Sequence, residues 1–441
     1  MRALVCLAAA VSIFPIPALA ASAGANVPAA TVLGAPRHLT LSEAIAIAVA
    51  ASPSMELARS NIDQAEASLS LARTPMSPSL VGQAGYAGTG GSPGGIVVEQ
   101  KSSSVSLRQL IYDGGRTLQG ARAAQAGVRA DTASYQRALQ QLSFNVAQAY
   151  YNAALAESSV RLQMQIVDQD KHQEQLIAAQ IRAGTVAPID LETAQIPTAQ
   201  AQVALVEAQG EASAAEAVFA QTLGLPADAP VFPEGESVQL HASTLPPGTT
   251  LDYKEAVERS LAERPDYVAA LARADAAASN LRAARLSASP TISVDANAGA
   301  GSFPFLGWKA SSGVGLTATI PLYDQGIRTA LKQSAYAQQE ATMAQLATVK
   351  LEVQSDVRQA LVRLIAQQAA LEQTSKELSK ARDVASATQR LYSAGQTTLP
   401  LLLNAQVQLT GAQTDHLVAE YSLRVDEQAY LYALGENDGR T

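Results

Sequence analysis

Leu41-Ser42-Glu43-Ala44-Ile45, followed by Pro53, returns as Tyr253-Lys254-Glu255-Ala256-Val257, followed by Pro265. Ser77-Pro78 returns as Ser289-Pro290, Tyr112-Asp113 as Tyr323-Asp324, and Gly184 as Gly395. Ala194-Gln195 returns as Ala405-Gln406, and Leu223-Gly224 as Leu434-Gly435. The offset is 212 residues before Tyr112 and 211 from there on. A register kept over a whole half-chain points to duplication of one structural unit. The period is far too long for a solenoid repeat, so it predicts a pseudo-twofold protomer.

Each copy opens with helical sequence. Thr40 or Ser42 can cap the stretch from Ser42 to Ala51, with Glu43 near its positive end. Pro53 interrupts, a second helix runs to about Thr74, and Pro75 and Pro78 stop it. Charges then thin out. Ile292, Val294, Ala296 and Ala298 alternate with Ser293, Asp295 and Asn297, and Val314, Leu316, Ala318 and Ile320 with Gly315, Thr317 and Thr319. Val105, Leu107 and Ile111 repeat this less cleanly in the first half. Period 2 means two-faced strands, each long enough to cross a bilayer at a tilt. Each half thus carries one hairpin, with glycine-rich tips at 89–95 and 301–307.

Beyond Asp113 no proline occurs before Pro188, which predicts a helix of roughly 100 Å. Leu139, Val146, Ala153, Val160 and Val167 form a heptad row, matched in the second half by Val357, Leu364, Leu371, Leu378, Ala385 and Tyr392. A sustained seven-residue repeat means coiled-coil packing. Gly184 and Gly395 suit left-handed C-caps. A return helix follows each, with Pro197 expected to kink or break the first. The expected organisation is a signal peptide at 1–20 and an N-terminal extension at 21–38. The first repeat spans 39–224, with its β-hairpin at 79–112 and helical hairpin at 113–222. A proline-rich irregular connector covers 225–250. The second repeat spans 251–435, with its hairpins at 291–323 and 325–434, and a tail covers 436–441.

Arg2, an apolar run to Ile16 and Ala18-Leu19-Ala20 read as a cleavable export signal. Cys6, the one cysteine, lies inside it, so disulfide and thiol chemistry are not expected of the mature chain. A net charge of −8 argues against nucleic acid as a partner. No later segment is a long uncharged apolar run, so entry into a membrane has to be by β-strands in a closed barrel. Four strands cannot close, and single-chain bacterial barrels have at least eight. Two copies give eight strands and a filled core; three give twelve and a lumen. A pore therefore favours a homotrimer. The fold class is mainly α with a β-barrel portion. Long coiled-coil helices form a periplasmic tunnel, and four strands per protomer contribute to a shared 12-stranded transmembrane barrel.

In these features the chain, from about Leu39 to Gly435, resembles the outer membrane efflux proteins of the TolC type. The landmarks are the duplicated halves, Tyr-Asp-Gly-Gly-Arg at Tyr112 to Arg116, the glycine turns and the Ala-Gln after each turn. The resemblance implies an outer-membrane location with a large periplasmic portion and contact with outer-membrane lipid. It also implies docking of the helical tips to a periplasmic adaptor and an inner-membrane pump or exporter. The docking tips are then Arg182, Gly184, Thr185, Val186, Ala187 and Pro188, with Ser393, Gly395, Gln396, Thr397, Thr398 and Leu399. The candidate gate is Asp190 and Tyr392, with Leu401 and Asn404 where acidic residues ring the constriction in TolC itself. Thr397 stands in place of a gate arginine. The constriction is expected to be apolar, with Leu401, Leu402 and Leu403 available.

Simpler readings stand beside these. Gly184 and Gly395 are C-caps on any account. An acid at Asp190 suits a first helical turn regardless of function. Tyr392 continues an apolar heptad row. Asp113 and Asp324 can cap helices. Phe303, Phe305 and Trp308 fit either an interfacial anchor or a loop tip. His38, His172, His241 and His416 lack metal-ligand spacing, and no nucleophile, phosphate loop or acid–base pair emerges, so neither an enzyme nor a cofactor is expected. Two alternatives remain. A conduit for type I protein or peptide secretion shares the whole architecture; a periplasmic coiled-coil scaffold or adaptor leaves two membrane-length hairpins unexplained.

Overall fold

The computed structural model describes residues 37–90, 97–234, 251–303 and 307–436, which fall in one compact unit. The expected signal, residues 21–36 of the extension, the centres of both β-hairpin tips with Phe305, residues 235–250 with His241, and the tail from 437 lie outside the described residues. So does the side chain of Phe303.

The duplication is visible element by element. α1 (Leu41–Ala51) and α5 (Tyr253–Glu263) have 11 residues each, and α2 (Pro53–Arg73) and α6 (Pro265–Arg285) have 21 each. Thr40 caps α1 in a reciprocal capping box with Glu43, and Asp252 caps α5. A proline at the first helical position opens both α2 and α6, where no backbone donor is lost. Then come β2 (Ser79–Gly90) and β3 (Val97–Tyr112), repeated as β5 (Thr291–Phe303) and β6 (Gly307–Thr319). Helices α3 (Arg116–Arg182) and α7 (Ile327–Ser393) follow, 67 residues each, or roughly 100 Å. α4 (Ile189–Thr222) and α8 (Leu399–Leu434) run back along them. Among the described residues no single helix is long and apolar enough to cross a membrane.

The strands form one antiparallel sheet in the order β2-β3-β5-β6. Inside each hairpin the pairing is regular; between the hairpins, β3 pairs with β5 and slips at a bulge between Leu110 and Tyr112. The second hairpin is shorter than its expected 291–323, because Pro321 follows the last paired residue, Thr319, and cannot donate to a ladder.

Strand becomes helix at Tyr112-Asp113-Gly114-Gly115, where both glycines are left-handed, at φ +72° and +87°. Asp113 is two residues upstream of the N-cap position. Its Oδ1 accepts from the Gly115 backbone (2.9 Å) and its Oδ2 from the backbone and hydroxyl of Thr117 (2.7 and 2.5 Å). Burial opposes ionisation of Asp113, but these hydrogen bonds outweigh it and hold the carboxyl below its ordinary range. Asp324 repeats the arrangement, accepting from Gly326 and Arg328.

The heptad rows are where the helices pack. Val146, Ala153, Val167, Val357, Leu364, Leu378 and Ala385 are all buried. One core cluster joins Val353, Val357, Leu361 and Leu364 of α7 to Ala256 and Val257 of α5 and Tyr430 and Leu434 of α8. Two features differ from expectation. α4 runs unbroken through Pro197, so of the expected kink or break the break does not occur. The connector and the end of the extension are also not wholly irregular: β4 (Val231–Pro233) pairs in parallel with β1 (Arg37–Leu39). Three-residue strands carry too little periodicity to be read from sequence.

One buried charge ties the second repeat together. Arg264 is 2% exposed. It donates to both carboxylate oxygens of Asp266 (3.1 and 2.6 Å), to Asp356 (3.1 Å) and to the carbonyl of Ala433. Gly435, at φ +91°, closes over it; a Cβ there would lie 3.0 Å from Arg264 Cγ. Arg137 of α3 joins the cluster, its guanidinium 3.7 Å from the Tyr432 ring centroid. Arg264→Ala removes this buried guanidinium and leaves Asp266 only its longer ion pair with Arg137 (3.6 Å), and should destabilise the protein by about 2–3 kcal/mol. Lys376→Ala, at an exposed helix pair, should cost less than about 0.5 kcal/mol. Denaturant titration of both variants in detergent checks the contrast.

Candidate functional site

Two regions at opposite ends of the long helices stand out. The first is the sheet. Leu80, Leu107, Ala296 and Val314 lie across from one another in one row, and Gly82, Val105, Ala298 and Ser312 in another on the same face. Val294 and Leu316 extend this face. Its largest side chains are open in the single chain, Val314 at 81% exposure and Leu316 at 71%. Such a surface is untenable in water over this area and fits hydrocarbon. Towards the hairpin tips, Tyr86, Lys101, Ser302 and Trp308 form one row, with the Lys101 ammonium 5.9 Å from the Tyr86 ring centroid. Towards the helices stand Tyr112 and Tyr323, both exposed. Aromatic rows bounding an apolar band mark the two interfaces of a bilayer. Lys101 to Tyr112 spans about 36 Å of strand, which at barrel tilt gives a band roughly 25 Å tall. Trp308 thus sits near the start of β6, paired with Ser302, and not in the loop itself.

The opposite face is polar. It carries Gln83, Ser104, Ser106, Asn297 and Thr317, and the Arg108 Nε–Asp295 Oδ1 ion pair at 2.7 Å across the seam between hairpins. The alternation assigns Arg108 and Asp295 to the polar side, but the sequence alone does not pair them, because they are 187 residues apart and only the register brings them together.

The second region is the pair of helical tips. The chain leaves α3 and α7 through matching turns. Gly184, at φ +72°, donates to Ile181, and Thr185 donates back to Gln180; Gly395, at φ +68°, donates to Tyr392, and Gln396 to Leu391. This is the Schellman pattern expected of the glycines. Both tips share one apolar core of Ile177, Ala194, Leu399 and Leu402, flanked by Ile181, Leu191, Tyr392 and Leu403. Above it is an open cleft of about 560 Å³ lined by residues of both tips.

Most of the sequence-derived tip residues are on the surface. Arg182, Gly184, Thr185, Ala187, Pro188, Ser393, Gly395, Gln396 and Thr398 are exposed, and Val186 and Thr397 half-buried. Leu399 is not available there: it is buried in the shared core, where its first-turn position turns it inward. Leu402 is likewise fully buried and cannot line a constriction, whereas Leu401 and Asn404 are exposed, one helical turn apart on α8. Asp190 and Tyr392 border the same cleft. The Tyr392 hydroxyl donates to Gln180 Oε1 at 3.4 Å, making Gln180 a participant that no motif signalled. Burial first, and the Asp190 carboxylate second, push the Tyr392 phenol up. Among the described residues no group of three or more His, Cys, Asp or Glu side chains is placed to hold a metal ion.

An apolar-banded sheet running directly into paired 100 Å helices defines a subunit of an outer-membrane channel with a long periplasmic extension. The chain belongs to the outer membrane efflux protein family, whose model matches residues 44–225 and 256–436, one match per repeat. It is similar to Protein CyaE of Bordetella pertussis, 28% identical over 412 residues, covering 90% of this chain and 84% of that protein. It is also similar to the pyoverdine export outer membrane protein OpmQ of Pseudomonas putida, 26% identical over 264 residues, covering 59% of this chain and 54% of that one. The crystal structure of CusC shares the fold with a TM-score of 0.79 at 19% identity, covering 90% of this chain and 92% of that chain. The protein is accordingly an outer-membrane protein of the TolC-like fold.

The two faces of the sheet make opposite demands. Leu316→Arg, on the apolar face, should cost about 2–4 kcal/mol and sharply reduce the assembled outer-membrane species. Thr317→Arg, one residue on and facing the polar side, should assemble nearly as wild type. Gel mobility of unheated outer-membrane fractions measures both.

Proposed function

We propose that the protein is the passive trimeric conduit of a tripartite export system, carrying small molecules across the outer membrane to the exterior. The observation that carries this reading is the open four-stranded sheet, whose outer strands β2 and β6 each have, among the described residues, a partner on one side only. In lipid such edges are not tolerated, and three copies close a twelve-stranded barrel with a lumen. The polar face, with its serines and the Arg108–Asp295 pair, then lines the pore, and the helices continue it as a tunnel. Membership of an efflux family and similarity to a pyoverdine export protein support small-molecule cargo. The apolar sheet face argues against a purely periplasmic scaffold or adaptor.

The helical tips are the docking end, where a periplasmic adaptor and through it an inner-membrane pump engage Arg182 to Pro188 and Ser393 to Thr398. Asp190 and Tyr392, with Gln180, hold the end closed, and Leu401 and Asn404 form an uncharged constriction. A gate of a few hydrogen bonds, each worth about 0.5–1.5 kcal/mol, is within reach of a docking partner.

Deleting the gene should raise susceptibility to small toxic compounds without changing the secreted proteins; loss of a secreted polypeptide with unchanged susceptibility would instead point to type I secretion. Thr185→Glu or Thr397→Glu should reproduce the deletion phenotype with trimers intact by native mass spectrometry, and wild-type resistance in both would remove tip docking. Asp190→Ala combined with Tyr392→Phe should raise single-channel conductance in planar bilayers; unchanged conductance would remove the gate.

A further inference from the structure

We infer the register in which two copies of the chain join: β6 of one copy pairs antiparallel with β2 of the next, with Leu316 opposite Tyr86 and Thr319 opposite Gln83. The inference rests on the multimeric reading above and fixes which residues meet. Its source is the seam inside one chain, where β3 of the first repeat pairs with β5 of the second. There Val105 faces Ala298 and Arg108 faces Asp295. The hairpins superpose with β3 shifted by 211 residues onto β6 and β2 by 212 onto β5, as the sequence repeat and the pairing within each hairpin both require. Moving the observed seam by one repeat carries Val105 and Ala298 to Leu316 and Tyr86, and Arg108 and Asp295 to Thr319 and Gln83.

The side chains agree with this register. Leu316 (71% exposed) and Tyr86 (64%) both lie on the apolar face and become cross-strand neighbours. Val314 and Ile320, the other large exposed groups, fall opposite Gly88 and Gly82, and Gly82 has open space beside it. A slip of one residue would set the apolar face of one copy against the polar face of the other.

The helices show the same missing partner. α3 packs against both α2 and α6, and its Ala126, Ala130 and Ala133 are buried. Their repeat counterparts on α7, Ala337, Ala341 and Ala344, are exposed, because α7 packs against α6 and, among the described residues, no helix occupies the place that α6 takes beside α3. Conversely Ala269, Ala272 and Ser279 of α6 are buried, while their counterparts on α2, Leu57, Ser60 and Ala67, are exposed. α2 of the next copy supplies the missing surface, and the small residues on α7 admit it closely. The chain thus displays both halves of a joint whose complete form it already contains once.

The two kinds of seam differ in chemistry. The seam within a chain carries the Arg108–Asp295 ion pair; the seam between copies carries Gln83 and Thr319 and is uncharged there. At the base, Gly114 lies so close to Ser289 that a Cβ there would overlap the serine side chain. The corresponding pair between copies is Gln325 and Ser77, and Gln325 brings a full side chain, so this seam is more open.

Cysteine pairs test the register. Gln83→Cys with Thr319→Cys, oxidised in membranes, should convert most of the chain to covalent trimer on reducing-agent-free denaturing gels. The offset pairs Gln83→Cys with Thr317→Cys and Gly85→Cys with Thr319→Cys should stay largely monomeric. Arg108→Cys with Asp295→Cys calibrates the chemistry within a chain, and the single variants report any linkage through Cys6, the one native cysteine. Efficient linkage of an offset pair, or trimers by native mass without linkage of the matched pair, would overturn the register and leave the trimer standing. A monomeric native mass, or a bond from 83 to 319 within one chain, would overturn both.

Discussion

The backbone hydrogen bonds of a sheet in lipid have to be satisfied by other strands, and the rest of the structure follows from that requirement. Water is absent from the hydrocarbon layer, so an unpaired edge leaves a row of N–H and C=O groups without partners. Four strands with an apolar face of Leu80, Leu107, Val314 and Leu316 therefore describe a fragment of a larger closed object. The helices inherit the same incompleteness. α7 is open along the face that in α3 is buried, so the exposed Ala337, Ala341 and Ala344 are a surface awaiting a neighbour. Exposed apolar groups in the single chain are thus most informative where their repeat counterparts are buried.

Strand-to-helix conversion is the second constraint. The chain has to leave a tilted strand and enter a 67-residue helix within three residues. Two consecutive left-handed residues achieve the turn, and an aspartate two positions before the helix N-cap satisfies its first donors. At the far end the turn is left-handed again, at Gly184 and Gly395. Between these fixed points alanine-rich heptads set the helix spacing, and bulk is concentrated near α1 and α5, where Tyr150, Phe219, Leu364 and Tyr430 are buried.

Much of this was legible in the sequence because the relevant signals are periodic and occur twice. The duplication, the two β-hairpins, the 100 Å helices and their glycine caps each have a repeat to check against. Signals without a period were not legible. β1 and β4 are three residues long, and their pairing spans 194 residues, from Arg37 to Val231. The Arg108–Asp295 pair needs a strand register, and the Arg264 cluster needs the packing of four helices. At the tips, Leu401, Leu402 and Leu403 look alike as a run of letters. Only the helical phase, fixed by the core of Ile177, Ala194 and Leu399, separates the buried Leu402 from the exposed Leu401. Gln180 was missed for the same reason: a glutamine near a helix end carries no pattern, and its role depends on Tyr392 arriving from 212 residues away.

The repeats share a scaffold, and function depends on where they stopped being alike. Arg264, Asp266 and Asp356 correspond to Ser52, Ser54 and Asn145 in the first repeat, so this charged cluster has no counterpart there. Gly114 corresponds to Gln325, the one non-glycine residue with positive φ among those described. An L side chain in that region costs on the order of 1 kcal/mol, and here the position tolerates it where its repeat counterpart has no room for a Cβ. Asp190 has its counterpart in Leu401. A ring of repeats built this way alternates between two kinds of joint and two kinds of tip. In the trimer proposed above, that alternation makes the symmetry threefold and not sixfold.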